Sequence, residues 1–62
     1  MSYLTNLHRE KADLLMLKAD IIDRVNFKKR IGQKTDWDED DYAEVEKQLA
    51  HIEERMAQAM RQ

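Results

Sequence analysis

Sixty-two residues with 39% charged side chains, one glycine, no proline and no cysteine describe long solvated helices and leave little material for strands or tight turns. A formal net charge of −2 gives no overall positive field for holding nucleic acid by its phosphates, and the lack of cysteine excludes a disulfide framework or a cysteine-ligated zinc. No run approaches the roughly 20 apolar residues that cross a bilayer, and the N-terminus lacks a secretory leader pattern, so a soluble cytoplasmic protein with no membrane role is expected.

From Ser2 the chain runs without a breaker to Ile31, which predicts a helix over 2–31 with Ser2 as its N-cap. At 100° per residue Leu4, Leu7, Leu14, Leu15, Leu17, Ile21, Ile22 and Val25 gather on one broad side. Gly32, the only glycine, stands where a left-handed residue stops a helix without steric cost, and the basic cluster Lys28, Lys29 and Arg30 complements the exposed carbonyls of the last turn. A turn over 32–35 follows. Either Thr35 or Asp36 caps a second helix over 36–61; Asp36, with Glu39 three residues on, gives the fuller capping-box pattern. The acidic residues Asp36, Asp38, Glu39, Asp40 and Asp41 fall at the dipole end that favours them.

In the second helix Tyr42, Val45, Leu49, Ile52 and Met56, then Ala59 and Met60, follow alternating three and four spacing, the seam of a helix lying along another helix. A link of a few residues forces the two helices antiparallel, so the fold class is all-α, a single helical-hairpin domain over residues 1–62. Folding about residues 33 and 34 brings position i near position 67 minus i, which sets Leu7 near Met60, Lys18 near Leu49 and Val25 near Tyr42. The apolar side of the first helix is wider than one seam needs, because the neighbours Leu14 and Leu15, and Ile21 and Ile22, point about 100° apart. A chain this small with no staple points to self-association, most simply a homodimer forming a four-helix bundle that covers Leu15 and Ile22.

Lys11 and Lys18 interrupt the apolar arc of the first helix. They read either as buried residues that fix register or partner, or as stems lying over apolar surface with their ammonium groups reaching Glu53 and Glu46. Phe27, Ile31 and Trp37 gather around the turn and form either an exposed anchor for another protein or a small satellite core closing the tip. The acids at 36–41 and the bases at 28–30 are accounted for together by dipole complementation and pairing across the loop; the acidic tip also has the charge to mimic nucleic-acid phosphates. Ala43, Ala50 and Ala57 form a column seven apart beside the seam, either permitting close helix approach or serving as good helix formers. His8 and His51 are each alone, no Glu-x-x-His spacing or glycine-rich phosphate loop occurs, and the only serine is at position 2. No catalytic residue, metal site or cofactor is expected.

In size, in the helices Ser2 to Ile31 and Asp36 to Gln62, and in lacking enzyme chemistry, the chain resembles the short helical-hairpin accessory proteins encoded in the early regions of temperate bacteriophages. The resemblance implies a regulatory protein that binds and redirects a larger host protein. The architecture is also similar to the small RNA-binding hairpin dimer that controls plasmid copy number, from which the acids at 36–41 set this chain apart. The expected function is a non-enzymatic protein–protein interaction module. The alternatives are a nucleic-acid-binding bundle using Lys28, Lys29 and Arg30 with Arg9 and Lys11, and a purely structural oligomerisation module.

Overall fold

The computed structural model describes residues 2–61 and contains two helices, α1 over Tyr3–Arg30 and α2 over Asp36–Arg61. They pack antiparallel as an all-α hairpin measuring 49 × 17 × 11 Å. α1 is continuous through Asn26. Ser2 is its N-cap: the backbone is extended at φ −77° and ψ 157°, and the Ser2 hydroxyl oxygen accepts from the Thr5 N–H at 3.1 Å.

The turn has a specific hydrogen-bond signature. The Gln33 N–H donates to the Lys28 carbonyl at 2.8 Å and the Gly32 N–H to the Lys29 carbonyl at 3.3 Å, the paired bonds of a Schellman motif that satisfies the last carbonyls of a helix. Closing this ring requires a left-handed residue, and Gly32 has φ +76°. α2 then begins one residue earlier in its capping than the Asp36 pattern suggests. The Thr35 carbonyl accepts the Glu39 N–H at 2.9 Å, so Thr35 holds the N-cap position and Asp36 is the first helical residue.

The packed faces follow one rule from end to end. Among the described residues of α1, those withdrawn from solvent are Leu4, Leu7, Lys11, Leu14, Lys18, Ile21, Val25 and Lys28; those of the second strand of the hairpin are Thr35, Asp38, Tyr42, Val45, Leu49, Ile52, Met56 and Ala59. Both series alternate three and four without a break, the knobs-into-holes spacing of a two-stranded coiled coil. The core divides into a distal cluster of Leu7, Ile52 and Met56 and a proximal cluster of Ile21, Val45 and Leu49, with Leu14 packed against both. Met60 is 70% exposed: the rhythm assigns the last seam position to Ala59 and turns Met60 onto the flank.

The register differs from the 67 minus i construction. Lys11 faces Glu53 and Lys18 faces Glu46, a displacement of about three residues, or ~4.5 Å at the helical rise. Leu7 accordingly meets Ile52 and Met56 rather than Met60. The cause is the position of the reversal, which Gly32 already accomplishes, so that Gln33 and Lys34 belong to the returning strand. Val25 and Tyr42 pack against the same proximal cluster, as the construction placed them.

Candidate interaction site

Lys11 and Lys18 occupy seam positions and resolve in favour of the stem-and-head arrangement. Each stem crosses apolar surface while Lys11 Nζ lies 3.6 Å from Glu53 Oε1 and Lys18 Nζ 2.5 Å from Glu46 Oε1. Lys18 also sits 5.5 Å from the centre of the Tyr42 ring, within cation–π range. The Glu46 hydrogen bond raises the Lys18 pKa above its ordinary 10.5, against the opposing effect of desolvation, and the same bond lowers that of Glu46 below 4.5.

The tip holds a polar interaction that sequence reasoning missed. Asp38 is 2% exposed, the only buried charged residue among those described. Its Oδ2 receives Lys28 Nζ at 2.6 Å and its Oδ1 faces Arg24 Nη1 at 3.4 Å. The Lys28 hydrogen bond holds the Asp38 carboxyl below its ordinary 3.8, against the burial that pushes it up, and Arg24 adds to the depression. Its distance from the helix start groups Asp38 with the acids of the first turn. Its face was the informative signal: it continues the column of Val45 and Ile52, and Lys28 continues that of Leu7, Leu14 and Ile21. The pairing expected across the loop is thus made by Lys28 and Arg24 with Asp38, while Lys29, Arg30, Asp36, Glu39, Asp40 and Asp41 are exposed.

The satellite core does not form. Trp37 is 85% exposed, Phe27 54% and Ile31 51%; Phe27 and Trp37 lie off the three and four seam, whose positions near the tip are taken by Lys28 and Asp38. On the heptad rhythm these three share one broad side of the hairpin. Leu15 and Ile22, both exposed, lie on the other side, where Ile22, Val25, Asn26, Glu39 and Tyr42 line a shallow groove of about 240 Å³. The two sets of candidate contact residues therefore belong to opposite faces.

Among the described residues no three His, Cys, Asp or Glu side chains converge as a metal site, and no helix is long and apolar enough to cross a membrane. No protein-family model, curated protein or solved structure matches the chain.

Proposed function

We propose that this chain is a non-enzymatic protein–protein interaction module that acts as a homodimer in the cytoplasm and engages a larger protein through its tip. The observation that carries the reading is the exposure of Phe27, Ile31 and Trp37 beside a turn closed by the Gly32 motif and the Asp38 ion pairs. Large apolar side chains held outward on a rigid support are the chemistry of interface hot spots, and they lose little conformational freedom on binding. The resemblance to phage early-region accessory proteins, which act on host proteins, supports the same regulatory role. Lys28 is engaged by Asp38, which weakens the basic cluster as a phosphate-binding surface.

The test is affinity capture from lysate with the intact chain and with the F27A/W37A variant, each with and without nuclease. Capture of a protein that survives nuclease and disappears with the variant supports the reading. Nuclease-sensitive capture moves the function to nucleic-acid binding, and capture of nothing but the chain itself moves it to a structural module.

A further inference from the structure

The face bearing Leu15 and Ile22 differs in kind from the opposite one. Along α1 it presents Ala12, Leu15, Ala19 and Ile22, and along α2 Ala43 and Ala50, all exposed. Two carboxylates that border it, Glu46 and Glu53, are already paired with Lys18 and Lys11, and Glu39 stands at its tip end beside Ile22. The middle of the opposite face carries Asp13, Asp20, Asp41 and Glu44, which would repel a second copy of themselves. That face also carries Leu17 and Arg24, but four carboxylates stand at its middle, where the first face has alanine, leucine and isoleucine.

The area agrees. A compact monomer of 7.5 kDa exposes about 4200 Å² on the usual scaling of surface with mass, whereas the hairpin exposes 5070 Å². The excess, roughly 800 Å², belongs to the elongated shape of the whole hairpin and is of the size that each partner of a standard protein–protein interface buries.

The levels along the face permit a symmetric arrangement that sets the tips apart. The midpoint between Leu15 and Ile22 lies level with the midpoint between Ala43 and Ala50, and the Lys18–Glu46 pair marks that level. A twofold axis crossing the helices there sets Leu15 against the partner's Ile22 and Ala43 against the partner's Ala50. Alanine at those sites allows the layers to approach closely, and the neutralised Lys18–Glu46 pairs of both copies meet near the axis.

We infer that a second copy of this chain docks on the Leu15/Ile22 face through that twofold axis, making a four-helix bundle with its two tips at opposite ends. The inference specifies the dimer included in the proposed function, and it leaves Phe27, Ile31 and Trp37 uncovered on both outer faces.

The experiment combines sedimentation equilibrium of the full chain with disulfide trapping, for which the cysteine-free sequence is a clean background. The wild type is expected to sediment at twice its 7.5 kDa mass. The L15E/I22E variant should remain helical by circular dichroism, with its dimer dissociation constant raised at least ~100-fold by two carboxylates in an apolar contact. Mixing L15C chains with I22C chains should trap a heterodimer, whereas L15C alone should not cross-link to itself. A monomeric wild type, a dimer that survives L15E/I22E, or self-cross-linking of L15C in place of the mixed product overturns the inference. If L15E/I22E loses its helicity, the cysteine mixture decides: the mixed disulfide supports the inference and its absence from a dimeric sample overturns it. The F27A/W37A variant should keep the dimer mass, so loss of capture at the tip and loss of the dimer are read separately.

Discussion

Lys28 Nζ lies 2.6 Å from Asp38 Oδ2, and that carboxylate has only 3% of its side-chain surface open to solvent. The two residues place a charge pair in the seam of the hairpin near its tip, where Ile21, Val45 and Leu49 fill the levels next to it. A buried carboxylate with one strong and one longer partner is sensitive to which partner is removed. Lys28→Met is expected to lower the melting temperature by on the order of 10 °C, and Arg24→Met, which removes the longer and half-exposed contact, by less. Thermal melts followed by circular dichroism will rank them; a reversed order would show that Arg24 is the principal counter-ion, and equal effects that the two share the role.

The same pair predicts a pH profile. Asp38 and Glu46 titrate below their ordinary values of 3.8 and 4.5, so their contribution is fully present above the unfolded-state values and is lost as pH falls through the folded ones. Lys18 titrates above its ordinary 10.5, so its contribution is full below the unfolded value and is lost as pH rises through the folded one. Stability should be flat from about pH 5 to about pH 10 and decline on both sides. Asp38→Asn should reduce the acid limb to the part that Glu46 contributes without moving the alkaline one, as melting temperatures across the pH range will show.

Gly32 offers a test of backbone conformation alone. A Cβ built at this position meets nothing within 4 Å, so Gly32→Ala is expected to cost about 1 kcal/mol through the left-handed φ rather than through any clash. Gly32→Asn should cost less, because asparagine tolerates that region better. Denaturant titration measures both; a cost near zero for alanine would mean that the turn relaxes to negative φ.

Ile21 is the most thoroughly enclosed large side chain among the described residues, set against Val45 and Leu49. Ile21→Ala is expected to cost about 2–4 kcal/mol, a large share of what so small a chain has. Met16→Ala, on the outward side of the same helix and 68% exposed, should change stability by less than about 0.5 kcal/mol. Denaturation midpoints of the two variants separate a core position from a surface one.

Most of the architecture was legible because helix periodicity, the single glycine and the short link each constrain the chain independently. Val45, Leu49, Ile52 and Met56 are buried as their spacing required, and Ser2 and Gly32 delimit α1 as expected. Asp38 was not legible as a buried residue while charge type alone was considered: an acid in a first turn satisfies the dipole whether it points outward or inward. Extending the three and four rhythm past Tyr42 to position 38, and past Val25 to position 28, recovers the pair. The exposure of Phe27 and Trp37 follows from the same rhythm, because positions 27 and 37 lie off a seam that runs through 25 and 28 and through 35 and 38.

The ion pairs at the tip also order the events of folding. Lys28 and Asp38 are ten residues apart in the chain and Arg24 and Asp38 fourteen, whereas Leu7 and Met56 meet only after nearly the whole chain has closed between them. Loop closure costs least at the shorter separation, so the hairpin is expected to zip from Gly32 toward its free ends. Changes at Asp38 or Gly32 will act mainly on the folding rate, and changes at Leu7 or Met56 mainly on the unfolding rate. The turn that presents the exposed aromatic residues is thus the first part of the molecule to acquire its final shape.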